Sequence, residues 1–498
     1  MFRVAMFVVS KALLRHSAAA AIGCAIAALS ACSVGSPYKR PDIPTPTQWK
    51  QSSGEEPRET SDATDSSTSA ASQAPHVANA NGVWPAADWW HGFGSATLDN
   101  LIASAERSND DLAGAIARVQ EADAQLRIAG APLFPSLDLG ADATRERGQV
   151  AGVGPKVFNI FNPQLTASYA VDFWGKNRAS RDAARAAALG SRFDEQTVAL
   201  TVVSSVASTY FQALELRDRI EVARRNFLNG DKILQGLRLQ ESAGIATGLD
   251  VAQQETAVAL LSAAIPPLVQ QLRQTVFALA VLIGKTPESI DVDSGTLTAL
   301  TIPAVVEGIP SALLTRRPDV AEAEQQLIAA NADITVARAS LFPSIQLTAS
   351  GGYESSALSG LISPYTLVYA ASAGITQPIF HGGALRGQLA YSKARYTELV
   401  TTYHKTVLSA FSNVESALVA TQQVTEQQLR QQDAVSKAQR AYQFARTQMS
   451  AGTVNILNVL NTENALFSAQ DELVQVQYLR LQALISLYTA LGGGWQQG

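Results

Sequence analysis

The one spacing in this chain that points to covalent chemistry is Leu29-Ser30-Ala31-Cys32, where small residues and a thiol close an apolar run. Cleavage before Cys32 would free an α-amine beside the thiol, and both groups can then be acylated. Two or more chains anchor a protein durably where a single chain does not. The preceding 31 residues suit such processing: Arg3, Lys11 and Arg15 are basic, and Ala18 to Leu29 form a small-residue apolar core. Removing that leader also removes Cys24, which leaves Cys32 as the sole cysteine and excludes an intrachain disulfide.

Other chemistries find no support. His76, His91, His381 and His404 are scattered without metal-ligand spacing. Neither a phosphate loop nor a nucleophile elbow occurs, and Gly492-Gly493-Gly494 stands at the chain end with no helix to open. No catalytic residue, metal or cofactor is therefore expected. The formal charge of −5 falls to −8 when the three leader cations go, which argues against nucleic acid as a partner. Hydrophobic residues make up 47% and charged residues 16% of the chain, yet past the leader no run of 18 apolar residues suggests a membrane helix. The apolar surplus must be placed some other way.

The elements that place it are duplicated. A shift of 208 residues carries Asp111 onto Asp319 and Leu133-Phe134-Pro135-Ser136-Leu137 onto Leu341-Phe342-Pro343-Ser344-Ile345. It also carries Ala243-Gly244 onto Ala451-Gly452, Leu249 onto Leu457, Val251 onto Val459, and Gly284 onto Gly492. This period is too long for a solenoid and marks two copies of one large unit. Each copy reads as a helix (97–131 and 318–340), a strand pair, a very long helix, a tight turn and a returning helix. The Leu-Phe-Pro triplets end the first helices and start extended chain.

Strands are expected at about 136–144, 163–173, 344–353 and 367–379. In the first pair Leu137, Leu139, Ala141 and Ala143 alternate with Asp138, Gly140 and Asp142; Leu165, Ala167, Tyr169, Val171 and Phe173 alternate with Gln164, Thr166, Ser168, Ala170 and Asp172. Ile345, Leu347 and Ala349 alternate with Gln346, Thr348 and Ser350, and more weakly Tyr369, Ala371, Ala373 and Ile375 with Ser372 and Thr376. Such alternation suits a barrel wall with lipid on one side and water on the other; on the strands alone a half-buried soluble hairpin is the commoner arrangement, and the leader ending at Cys32 reverses that balance. The joining segments 145–162 and 354–366 read as loops. No proline interrupts 176–243 or 384–451, so each long helix would extend roughly 100 Å. Apolar residues along both recur at steps of three, four or seven, giving a seam that needs a partner helix. Those partners would run from the turns to about Ile283 and Leu491. Four strands cannot close a barrel whose minimum is eight, so closure requires further copies of the chain. A dimer would fill its own bore with side chains, whereas three copies would supply twelve strands and leave a passage.

In combination, several motifs resemble the outer-membrane factors of tripartite efflux systems, the TolC-like lipoprotein branch that works with resistance-nodulation-division pumps. They are Cys32 followed by Gly35-Ser36-Pro37-Tyr38, Asp172-Phe173-Trp174-Gly175, Leu314-Thr315-Arg316-Arg317-Pro318-Asp319, Gln377-Pro378-Ile379-Phe380, Ala451-Gly452 before Leu457 and Leu460, and Tyr488 to Trp495. The resemblance implies a mainly α fold with a transmembrane β part: two tandem repeats per chain, and a homotrimer with a twelve-stranded barrel on a twelve-helix periplasmic tunnel. It also implies a periplasmic membrane-fusion adaptor, an inner-membrane resistance-nodulation-division transporter and outer-membrane lipid as partners. Cys32 would carry N-palmitoyl and S-diacylglycerol groups, and Ser33 after it is similar to the pattern of lipoproteins sent to the outer membrane. The tips Ala243, Gly244, Ala451 and Gly452 would meet the adaptor. Acidic rings guard the pore mouth in related proteins; here Asn458 and Asn461 stand at the matching positions, with Asp250 the nearby carboxylate of the first copy. Asp250 reads equally as a mouth charge or as a helix N-terminal charge favoured by the dipole. Pro318 and Asp319 read as a helix start rather than a binding site.

The expected organisation is a leader over 1–31, a lipidated N-terminus and flexible tether over 32–82, repeats over 83–290 and 311–498, and a linker over 291–310. The expected function is passive conduction of small molecules through a cell outer membrane, with a large periplasmic portion. Two rivals stay open: a conduit for secreted polypeptides, and a non-conducting coiled-coil lipoprotein.

Overall fold

The computed structural model describes residues 34–50, 86–150, 154–292, 294–305, 310–493 and 495. The leader, Cys32, Trp84 and residues 51–82 of the expected tether lie outside them. In chain order the main elements are α1 (Ala96–Ser108), α2 (Asp110–Gly130), β1 (Ser136–Val150), β2 (Gly154–Val171), α3 (Lys176–Ser242), α4 (Gly248–Ala263) and α5 (Ile265–Leu282). The second copy follows with α6 (Pro310–Leu313), α7 (Pro318–Ala339), β3 (Ser344–Tyr353), β4 (Leu367–Thr376), α8 (Ala384–Ser450) and α9 (Ile456–Ala490). The chain forms two compact units, one built around 118–192 and 322–404, the other around 193–321 and 405–498.

The first unit holds the sheet. Its four strands lie in the order β1-β2-β3-β4, every neighbouring pair antiparallel, so among the described residues β1 and β4 are open edges. Two strands run longer than the sequence suggests: β1 reaches Val150, and β2 starts at Gly154, so most of the segment read as a loop over 145–162 is hairpin. Two end early. β4 stops at Thr376 because Pro378 has no N–H to donate to a ladder. β2 stops at Val171 because the Asp172 carboxylate turns to accept from the backbone N–H groups of Asn177 (2.9 Å) and Arg178 (2.9 Å), capping α3. At this corner the Trp174 indole donates to Pro343 O (2.8 Å) and stacks on Phe342, with ring centres 4.7 Å apart. Residues 34–42, expected to belong to a loose tether, lie instead along α7. Arg338 donates to Val34 O (2.7 Å), Asn331 to Ser36 O (3.1 Å), and the Arg40 guanidinium grips Glu324 through two nitrogens.

The second unit is helical. Its larger core joins Phe93, Leu98, Ile102, Phe211, Leu214, Leu279, Leu481 and Tyr488, with Trp89 stacked on Tyr488 at 4.8 Å and Phe93 edge-on to Phe211 at 5.0 Å. Trp89, Trp90 and Phe93, an aromatic cluster just ahead of α1, therefore anchor the start of the described fold to this core. The first helix is split at Asn109, whose side chain accepts from Leu112 N (2.9 Å) and donates to Leu282 O (2.8 Å). The returning helix of the first copy is also split, at Ala264, with prolines at the start of α5. Two described points of the linker 291–310 are tied down: Leu297 N donates to Asp218 (2.9 Å) and Arg217 to Val292 O (2.9 Å). Among the described residues one helix, α3, contains a stretch long and apolar enough to cross a bilayer, and half of that stretch is buried inside the protein. That burial makes it the packing seam of a core helix, at odds with the expectation that no such stretch exists past the leader.

Candidate functional site

The sheet brings the sequence-predicted faces into continuous rows. Residues directly opposite one another in an antiparallel pair lie on one face. Leu137 pairs with Ala167, Ala167 with Ala349, and Ala349 with Ala371. The next rows read Leu139, Leu165, Gly351 and Tyr369, then Tyr169, Leu347 and Ala373, then Val171, Ile345 and Ile375. The other face carries Ser136, Ser168, Thr348 and Ser372 in one row and Asp138, Thr166, Ser350 and Ala370 in another. Four strands thus share one apolar and one polar surface. A one-residue slip would reverse both.

Leu137, Leu139, Tyr369 and Ile375 are more than 60% exposed, so none of the described residues covers this part of the apolar face. An uncovered apolar sheet this wide is unstable in water and suits lipid. On β2 the apolar row from Phe161 to Val171 extends about 33 Å along the strand, which a tilt of about 40° reduces to about 25 Å, the height of an outer-membrane apolar band. Aromatic side chains border it, with Phe173, Trp174 and Phe342 clustered at one end and Phe161, Tyr353 and Tyr369 toward the other.

The two helix turns form the second candidate region. Ala243-Gly244 follows α3, and Ala451-Gly452 follows α8; Gly244 and Gly452 have φ of 74° and 73°, where a side chain would be strained. At the first turn Thr247 Oγ1 accepts from Asp250 N (3.3 Å), while Asp250 Oδ2 accepts from Thr247 N (2.9 Å) and Thr247 Oγ1 (2.7 Å). This reciprocal capping holds the Asp250 carboxyl below its ordinary range. At the second turn Asn458 Nδ2 donates to Asn455 Oδ1 (2.9 Å). Asn458 and Asn461 are exposed, and Asn461 lines a groove of about 420 Å³ between α4 and α9 with Gln253, Leu260 and Phe467. Neither Asp250 nor Asn458 lines this groove.

Sequence reasoning missed the polar ties above the turns. Arg219 reaches Asp471 through Nε (2.7 Å) and Nη2 (3.1 Å) and Glu215 through Nη1 (3.1 Å), joining α3 to α9. Arg317 meets Asp319 at 2.9 and 2.6 Å and Ala490 O at 3.0 Å, which makes the Arg-Arg-Pro-Asp element a helix start fastened to the end of α9. Among the described residues no group of His, Cys, Asp and Glu could hold a metal ion.

An amphipathic sheet with two open edges, on a chain of paired long helices ending in tight turns, defines a channel-forming outer-membrane protein. Comparison with known proteins agrees. The sequence model of outer membrane efflux proteins matches residues 101–285 and 309–493, one match for each copy. The pyoverdine export outer membrane protein OpmQ of Pseudomonas putida is 39% identical over 433 residues, 85% of this chain and 91% of that protein. The cation efflux system protein CusC of Escherichia coli O6:H1 is 32% identical over 477 residues, 95% of this chain and 98% of that one. Among solved structures, the outer-membrane channel OprN superposes with a TM-score of 0.82 at 25% identity, over 94% of this chain and all of that one. The chain belongs to the outer membrane efflux protein family. It is an outer-membrane efflux channel.

Proposed function

We propose that three copies of this chain close a twelve-stranded barrel and that the channel passively conducts small molecules handed to it by a periplasmic adaptor and an inner-membrane transporter. The observation that carries this reading is the four-strand sheet with one apolar face and both edges open. Closing two open edges with identical copies satisfies every ladder group, and three copies are the smallest set that leaves a bore. The turns at Ala243-Gly244 and Ala451-Gly452 would meet the adaptor, and Asp250, Asn458 and Asn461 of all copies would gather at the periplasmic mouth. With two asparagines and one carboxylate from each copy, this would be a weakly charged mouth. The relatives described above are named for pyoverdine export and cation efflux, and a siderophore such as pyoverdine is the first cargo to test.

Acyl groups on Cys32 would add a lipid anchor to a barrel that already spans the bilayer. Cys32→Ser is expected to lose acylation by mass spectrometry and still assemble; a variant that fails to assemble would make the lipid essential. Planar-bilayer recording tests the conduit itself. Discrete conductance steps, enlarged when the cognate adaptor is added, are expected; a silent bilayer with verified inserted protein would leave only the scaffold reading.

A further inference from the structure

The first hairpin continues past the top of the apolar band, and its outward row changes character there. Ala143 pairs with Phe161, the last apolar pair of that row; the next two pairs are Arg145 with Asn159 and Arg147 with Val157. Because side chains alternate, Arg145 and Arg147 share the face of Leu139, Ala141 and Ala143, while Glu146 projects to the polar face. Both arginines are exposed. Neither makes an ion pair among the described residues.

A second copy would not neutralise them. The 208-residue repeat holds in the sheet as well as in the sequence: Ser136 faces Ser168 and Ser344 faces Thr376, the same pair displaced by one period. Carrying the β2–β3 pairing forward by that period sets β4 of one copy against β1 of the next. The Ala167–Ala349 pair becomes Ile375 against Ala141, apolar on apolar, as a lipid-facing row requires. The same operation turns the Phe161–Ser355 bridge into Tyr369 against Arg147, and places Ala371 against Arg145. No carboxylate arrives from either side. Two guanidinium groups per chain therefore stand about 7 and 13 Å along the strand beyond the last apolar pair. That is the level at which the headgroups of the outer leaflet begin.

We infer that Arg145 and Arg147 form a rim that binds the phosphate groups of a phosphorylated outer-leaflet lipid. The planar fork of a guanidinium matches phosphate oxygens through paired hydrogen bonds, and such contacts gain strength at the edge of a low-dielectric slab. The second hairpin lacks the rim: the residues one period on are Tyr353 and Ser355. The inference rests on the barrel reading above.

The test uses the full-length channel in uncharged detergent, titrated with a diphosphorylated acylated glucosamine disaccharide, with the same lipid after phosphatase treatment, and with inorganic phosphate. The expected result is saturable binding of the phosphorylated lipid, about tenfold weaker in Arg145→Gln/Arg147→Gln, and unchanged in Lys156→Gln on the opposite face. Equal affinity in the double variant, or an equal loss in Lys156→Gln, overturns the rim. Displacement of the lipid by millimolar inorganic phosphate overturns the lipid assignment and leaves a free-phosphate site. The same preparations are recorded in planar bilayers. A wild type that inserts but passes no current sinks the barrel reading, whereas a conducting double variant with undiminished lipid affinity sinks the rim alone.

Discussion

Arg238 and Glu255 in the first copy occupy the same repeat positions as Arg446 and Glu463 in the second, and the two pairs meet different fates. Arg238 reaches Glu255 at 2.7 Å, with side chains 56% and 47% exposed. Glu463 is 4% exposed, in the same part of the fold as Leu234, Val258, Tyr442 and Leu466, and its Oε1 accepts no hydrogen bond. Burial pushes its carboxyl up to about 7, with the Arg446 charge only partly opposing this. Tyr442 lies under the Arg446 guanidinium at 5.7 Å; the first copy has Leu234 at that position. Duplicated sequence thus gives an exposed ion pair worth little on one side and a titratable buried acid on the other. What distinguishes them is packing, since the residue types are the same.

The hairpins differ in the same way. The first has strands of 15 and 18 residues and carries charges past the apolar band; the second has two strands of 10 and stops within it. The shared part is the part that must face lipid, and the divergent parts lie beyond it.

The largest expected effect probes that shared part. Ala349→Arg places a charge near the middle of the apolar rows and should cost about 2–4 kcal/mol, seen as loss of folded barrel in vesicles. Thr348→Arg, one residue along on the polar face, should fold; equal failure of both would mean that the faces are misassigned. Next comes Glu463. At pH below about 4.5 folded and unfolded states both hold its proton, so it adds no pH dependence. Between that value and about 7 only the folded state keeps the proton, so stability declines as pH rises through this window and the loss, about 3 kcal/mol, is complete above it. Thermal melts from pH 5 to 8 should show this decline in the wild type, little of it in Glu463→Gln, and no change of slope in Glu255→Gln. Thr247→Ala removes a reciprocal cap and should cost about 1 kcal/mol, whereas Asn455→Ala, at a turn where no side chain caps the helix backbone, should cost less. The smallest effect is Asp250→Asn. Reversal potentials in asymmetric salt should move toward anions if the carboxylate faces the mouth, and stay put if capping is its only role.

Much of this fold is visible in the residues themselves. The repeat, the Leu-Phe-Pro strand starts, the alternating faces and the glycine turns all rest on local steric rules, and the structure places each at its expected position. Local pattern failed where a longer-range partner decides. Arg145-Glu146-Arg147 breaks the apolar alternation, so the strand signal ends at about 144 while the ladder runs on to Val150. Residues 34–42 carry no periodic pattern and owe their order to Glu324, Asn331 and Arg338, nearly 300 residues away. The burial of Glu463 was illegible because Glu255 looks the same in sequence. At the candidate mouth Asp250, Asn458 and Asn461 are nominated by the family resemblance and not by local pattern, and of the three only Asn461 lines the groove between α4 and α9.

The stitch between Trp174 and the Phe342-Pro343 corner has a kinetic consequence. It pins the foot of the first hairpin to the foot of the second, although 169 residues separate the bonded atoms. Closing that long loop once, at the corner, relieves the four strands of a separate search for their order. In the proposed trimer each chain would then offer its neighbour a finished panel, and assembly would be the joining of prefabricated edges instead of a contest among loose threads.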